Sequence, residues 1–161
     1  MAKNRKKSPP TFFFGYHFPI GQIFIAEDEF GICDISFENE FEGIVTEKET
    51  PLIKKAAKQL QEYFSAKRKT FSIKLSTHGT PFQESVWQQL QKIPYGTTTY
   101  YGSIAEAIGN PKASRAVGMA NNKNRISIMI PCHRVIGKNN TLVGYAGGLD
   151  IKKYLLDIEN N

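Results

Sequence analysis

The chain reads as an α+β protein in two parts: a small amino-terminal α/β domain with a hairpin-containing sheet, then a mostly helical domain with a helix-turn-helix. Three observations predict this. Two strand-like runs, Ile20 to Ala26 and Ile32 to Phe37, flank the acidic, glycine-ended segment Glu27-Asp28-Glu29-Phe30-Gly31, the pattern of a β-hairpin. Pro51 then opens a helical stripe of Leu52, Ala56, Leu60 and Phe64, with lysines between the apolar positions. Beyond Gly79 the three-and-four spacing of apolar residues returns, punctuated by residues that start and stop helices.

Taken in order, residues 1 to 10 form a basic arm that is expected to be flexible, with Lys3, Arg5, Lys6 and Lys7. Phe12-Phe13-Phe14 after this basic start imitates a signal peptide, but Gly15, His17 and Pro19 interrupt it, and no apolar run approaches membrane-spanning length. The first domain, 11 to 78, ends in the alternating run Thr70 to Leu75, an expected strand, and Ser76 to Gly79 is a polar linker. In the second domain, 79 to 161, Thr80-Pro81-Phe82-Gln83 fits a capping box with proline at the first helical position. Val86, Leu90 and Ile93 share the core face of the helix that follows, with Trp87 beside them. Ser103 to Ile108 predicts a short helix stopped by Gly109, and Asn110-Pro111 starts another through about Ala120. A helix-turn-helix and an ordinary helical hairpin fit this pattern equally. The small residues Ala113, Ser114, Ala116, Gly118 and Ala120 permit close approach, either of a DNA groove or of a neighbouring helix.

A chain of 161 residues buries about two-thirds of its unfolded surface on folding, and 40% hydrophobic with 22% charged residues is ordinary for a soluble globular protein. Its two cysteines, Cys33 and Cys132, sit in unlike contexts, which favours reduced thiols in a cytoplasmic protein over a disulfide. His17, Cys33 and His78 lack paired ligand spacing, so no metal is expected, and no cofactor motif is present. Net charge is +6, unevenly spread: Ser8 to Gly79 holds eight basic and ten acidic residues, Thr80 to Asn161 nine and five. The second domain is the better anion binder, as suits a surface resting on phosphates, although a solvated basic face has the same composition.

The segment Ile128-Met129-Ile130-Pro131-Cys132-His133-Arg134-Val135 carries the chemistry. A thiol is mostly protonated at neutral pH, so a nearby base and an electropositive setting are what make it a nucleophile, and His133 and Arg134 offer both. In an extended segment adjacent side chains point to opposite faces, so His133 is expected to reach Cys132 through a bridging water. A bare Cys-His pair is by roughly three to one a buried, inert cysteine rather than a nucleophile.

The flanking blocks change that balance. Gly79-Thr80-Pro81-Phe82-Gln83, Ile93-Pro94-Tyr95-Gly96-Thr97-Thr98, Tyr101-Gly102, Gly109 through Gly118, Pro131-Cys132-His133-Arg134-Val135 and Gly144-Tyr145-Ala146-Gly147-Gly148-Leu149 together resemble the active-site domain of the methylated-DNA-protein-cysteine methyltransferases. The resemblance spans Thr80 to Glu159, about half of the chain. It implies irreversible, single-turnover transfer of an alkyl group from the 6-oxygen of guanine, with the 4-oxygen of thymine as a further target, in double-stranded DNA to Cys132, by a monomer without cofactor or membrane contact. His133 is then the base acting through water, Glu159 orients it, Asn124 fastens the turn before an active-site strand, and Tyr101 donates to the leaving guanine. Val135 and Cys132 carbonyls read the exocyclic amine, while Tyr145 and Ala146 lie at the pocket. Arg115 fills the space of the extruded nucleotide from a helix in the minor groove, and Asn110, Ala113, Ser114 and Lys138 contact DNA.

Two features depart from the family pattern. Arg125 and Ser127 stand where prolines usually wall the pocket, and Ala146 stands where some members carry serine. Bulky alkyl groups are therefore expected to fit less well. A lesion-binding protein that does not transfer the alkyl group is the alternative from the same fold. A thiol-sensing helix-turn-helix regulator would leave Tyr101, Asn124 and Glu159 without a joint role.

Overall fold

The computed structural model describes residues 9–161, so the basic residues of the arm lie outside the description. The chain divides into two compact units, one ending at His78 and the other running from Gly79 to Asn161. No helix among the described residues is long and apolar enough to cross a membrane.

The first unit is a four-stranded sheet with one helix. β1 (Phe12–Phe18), β2 (Gly21–Asp28) and β3 (Gly31–Ser36) form an antiparallel meander, β4 (Thr46–Glu47) pairs parallel to β1, and the spatial order is β3-β2-β1-β4. The hairpin expected around residues 27–31 is present as the β2–β3 connection, tightened by Asp28 Oδ1, which accepts from Phe30 and Gly31 N–H. β1 is an addition to the sequence reading. The residues that break a signal peptide there, Gly15 and His17, are strand residues in register with Phe24 and Gln22, and Gly15 leaves room for the Phe24 ring, which an added β-carbon would meet at 2.8 Å.

α1 (Pro51–Phe64) starts as expected, capped by Thr50 Oγ1 accepting from Ile53 N–H at 3.1 Å. Its buried face is Ile53, Ala56, Ala57, Leu60 and Tyr63, rotated slightly from the stripe read in the sequence. Phe41 packs on the sheet with Phe13, Phe24 and Ala26.

Thr70 to Leu75 is not a strand. Only Ile32 pairs there, its N–H donating to Lys74 O at 2.9 Å and its carbonyl accepting from Ser76 N–H at 2.7 Å. The reason is a competing side chain: Gln59 on α1 accepts from Ser72 N–H at 2.9 Å and donates to Ser72 Oγ at 3.1 Å, taking the backbone that a ladder would use.

The second unit is mostly helical. α2 (Pro81–Leu90) has the full capping box, Thr80 and Gln83 each accepting from the other's backbone N–H. A two-stranded parallel pair, β5 (Thr99–Tyr100) with β6 (Val135–Ile136), ties the start of α3 (Tyr101–Ala107) to the residues that follow the cysteine. α4 (Ser114–Asn122) completes the helix-turn-helix, and α5 (Leu149–Asn160) closes the chain. α4 begins later than Asn110-Pro111 because Asn110 is spent on closing α3. Its N–H donates to Ala105 O at 2.9 Å across Gly109, whose φ of +79° gives the left-handed turn that ends a helix.

Candidate active site

Asn124 to Val135 packs around its own side chains, with every residue but Arg125 buried. Asn124 holds the segment as a bracket: its Oδ1 accepts from Ile126 N–H at 3.0 Å and its Nδ2 donates to Ile130 O at 2.9 Å. Within the bracket the chain makes two tight turns, correcting the expected active-site strand. One is a γ-turn centred on Ile128, φ +74°, with Met129 N–H donating to Ser127 O at 2.9 Å. The other is an inverse γ-turn centred on Pro131, φ −80° and ψ 63°, with Cys132 N–H donating to Ile130 O at 2.8 Å. A β-branched residue in the left-handed region costs about 1–3 kcal/mol, offset here by complete burial of the Ile126, Ile128 and Ile130 side chains.

Cys132–Arg134 is one 3-10 turn, so the thiol and the imidazole stand about 120° apart rather than on opposite faces. Both are buried, and no hydrogen bond joins the two side chains among the described residues. His133 Nε2 lies 3.2 Å from Glu159 Oε1, while its Nδ1 has no hydrogen-bond partner among the described residues. A neutral ring placed this way carries its proton on Nε2 and leaves Nδ1 as an acceptor. Burial holds the His133 pKa below its ordinary value despite the carboxylate, so the resting imidazole is neutral.

Glu159 is shared. Arg134 Nε donates to its two oxygens at 2.9 and 3.1 Å, Nη2 donates to Oε1, and Nη1 donates to Ile93 O at 2.8 Å. Burial pushes the Glu159 carboxyl up, but hydrogen bonds from His133 and Arg134 outweigh it and keep the group ionised. Arg134 thus works on the carboxylate rather than on the thiol, and the sequence reading had placed it only as electropositive surroundings. Burial raises the Cys132 thiol, opposed by Asn124 and by the charge of Lys152. Lys152 is the residue the sequence reading missed altogether. It stands on α5 seven positions before Glu159, a spacing that puts both on one face of a helix.

Tyr101 opens α3, and its hydroxyl donates to Val143 O at 3.4 Å. Burial raises its pKa and the nearby Cys132 charge adds to the rise, which places it within electrostatic reach of the thiol. Tyr145 meets the His133 ring edge-on, centroids 6.5 Å apart. Val135 is buried, as is Ser127, whereas Arg125, Ala146 and Lys138 are exposed. Arg115 and Ala116 are exposed on α4, with Met119 exposed on the same helix (68%), and Ala113 and Ser114 are half-buried. The small residues divide by task. Ala120 serves packing, its carbonyl accepting from Trp87 Nε1 at 2.8 Å, while Ala116 lies on the open face beside Arg115. Asn110 is exposed, in the turn before α4.

Fold and site together define a helix-turn-helix protein with a buried free cysteine next to a buried histidine–glutamate pair. The family model described as 6-O-methylguanine DNA methyltransferase, DNA binding domain, matches residues 81–161, and that family's ribonuclease-like domain matches 14–77. The chain is 50% identical over 147 residues to the methylated-DNA–protein-cysteine methyltransferase of Methanosarcina acetivorans, covering 89% of this chain and 94% of that protein. It is 52% identical over 149 residues to the constitutive enzyme of that name from Bacillus subtilis, covering 88% and 90%. The solved structure of the Mycobacterium tuberculosis OGT in complex with DNA superposes with a TM-score of 0.86 at 39% identity, covering 93% of each chain. The chain belongs to the 6-O-methylguanine DNA methyltransferase family.

Proposed function

We infer that this protein repairs DNA by direct reversal, transferring an alkyl group from the 6-oxygen of guanine to Cys132 once and irreversibly. The observation that carries the residue assignment is the buried neutral His133, its Nε2 on Glu159 and its Nδ1 unpartnered, one residue from a buried thiol. In the proposed step the thiol proton passes through water to His133 Nδ1, the sulfur bonds to the alkyl carbon, and the carbon–oxygen bond breaks with its electron pair going to guanine. The imidazolium is stabilised by Glu159, and Tyr101, released from Val143 O, donates to the ring nitrogen on which charge appears. The product thioether has no leaving group for thiol exchange, which makes the protein single-use.

The partner is double-stranded DNA, bound by a monomer through the α4 face. A stacked guanine is out of reach of a buried thiol, so the nucleotide must leave the stack, and Arg115 on the exposed face of α4 is placed to fill the gap. The test is incubation with duplex DNA carrying a labelled methyl on guanine, followed by peptide mass mapping. One methyl per chain, on Cys132, is expected. Label on Cys33, sustained turnover, or binding to the lesion without transfer would each reject the reading.

A further inference from the structure

The Lys152 side chain is fully buried on α5. Its ammonium donates to Val135 O at 2.7 Å, Val143 O at 2.8 Å and Gly144 O at 3.5 Å, and it has no carboxylate partner among the described residues. Carbonyl dipoles replace part of its hydration, yet a buried cation without a counter-anion is costly. The other charged and titratable groups around Cys132 do not supply that anion: Glu159 is engaged by Arg134 and His133, His133 is neutral, Tyr101 is a protonated phenol, and Asn124 is uncharged. Val135, whose carbonyl Lys152 holds, donates its own N–H to Cys132 O, so the ammonium is tied to the turn that carries the cysteine, and the Cys132 thiol is the remaining group of that turn able to become an anion.

We propose that Lys152 is a positioning residue with two coupled tasks: its ammonium is the built-in counter-ion of the Cys132 thiolate, and its three hydrogen bonds fasten the 143–144 loop to the segment that follows the cysteine. Val143 O also accepts from Tyr101, so one lysine links the thiol's electrostatics to the placement of the phenol that quenches the leaving group. Each carbonyl oxygen has two lone pairs. Lys152 takes one on Val135 and leaves the other for a base amine. The inference rests on Cys132 as the reacting thiol, and its test needs no DNA.

The full chain is reacted with iodoacetamide across pH 6 to 10, alkylation of Cys132 being followed by mass spectrometry, in wild type, Lys152→Gln and Lys152→Arg. Gln keeps hydrogen-bond donors and removes the charge, while Arg keeps the charge. The midpoint should rise by about one pH unit or more in Lys152→Gln, slowing alkylation roughly tenfold at neutral pH, and should stay near wild type in Lys152→Arg. An unchanged midpoint in a folded Lys152→Gln protein overturns the proposal, because a merely structural role would not hold the thiol's titration. Coupling is reciprocal, so the Lys152 ammonium, followed by nitrogen NMR, should titrate at lower pH in Cys132→Ala than in wild type. Identical Lys152 titration in the two proteins overturns it even if the Lys152 variants fail to fold. Failure of methyl transfer with a normal thiol midpoint shift would instead reject the DNA-repair reading and leave this one standing.

Discussion

At the scale of single residues, His133 shows how the site works by suppressing a charge until it is needed. The unfolded chain takes up a proton on this side chain near its ordinary pKa of 6.5, whereas the buried ring resists it. Below that pH the unfolded state binds more protons, so stability is lost as pH falls through 6.5. Urea unfolding at pH 7.5 and 5.5 should show this loss in wild type and a smaller one in His133→Gln; equal losses would mean that the imidazole is already charged in the fold. Glu159 and Asp28, both held below ordinary carboxyl values, act lower down: their stabilisation is full above the unfolded carboxyl range and disappears as pH falls through their depressed folded values. Burial opposes the shift in each and is outweighed by hydrogen bonds, from His133 and Arg134 for Glu159 and from His78 and Ser76 for Asp28. Arg134 donates to both oxygens of Glu159. Arg134→Met strips the guanidinium from a buried carboxylate, and a loss of about 3–5 kcal/mol in unfolding free energy is expected, the range for removing one partner of a buried ion pair. A loss below 1 kcal/mol would show that the pair is solvated in solution.

At the scale of elements, what was legible in the sequence follows from which interactions are local. α1 and α2 were readable because Thr50-Pro51 and Thr80-Pro81 place cap and proline side by side, and a cap bonds only to its own helix. The β2–β3 hairpin was readable for the same reason. β1 was not, because Gly15 and His17 interrupt its aromatic run, although it too pairs as a hairpin, with β2 across Pro19 and Ile20. The two turns before Cys132 carry no local signal at all: nothing in Ser127-Ile128-Met129 announces a positive φ at an isoleucine, which is imposed by the Asn124 bracket and the surrounding core. In the site, the resemblance supplied Cys132, His133 and Glu159, of which the structure joins His133 to Glu159 and buries Cys132 one residue away. Arg134 and Lys152 act through contacts 25 and 17 residues away in sequence, to Glu159 and Val135, and the one local signal is the interval that sets Lys152 on the helix face of Glu159. α4 carries an element-scale prediction that rests on the proposed flipping step. Arg115 is exposed on α4 and lies outside the Asn124–Val135 segment, so Arg115→Ala should slow repair of duplex DNA by tenfold or more, about 1.4 kcal/mol or above, while leaving reaction with the free modified base near wild type. Equal slowing on both substrates would place Arg115 in the pocket or in the fold.

At the scale of the whole molecule, the separation of charge between the two units makes a prediction about DNA binding. The second unit carries the basic surplus and, on the proposed reading, the DNA-contacting face. Residues 11 to 78 of the first are slightly acidic overall, yet Lys54, Lys55 and Lys58 cluster on α1 beside a cleft lined by Tyr16, His17 and Phe18. Counting lysines would make α1 as good a phosphate binder as the second unit. If α4 and the turn at Lys138 rest on the duplex, however, only charges on that unit displace counterions when the complex forms. The slope of log affinity against log salt is the measurement that separates these cases, since each phosphate contact contributes about 0.9 to it. With unmodified duplex, Lys138→Gln should flatten the slope by about that amount, and the triple change Lys54→Gln, Lys55→Gln and Lys58→Gln should leave it unchanged although it removes three times the charge. A flattening confined to the triple variant would move the DNA from the helix-turn-helix to the amino-terminal unit.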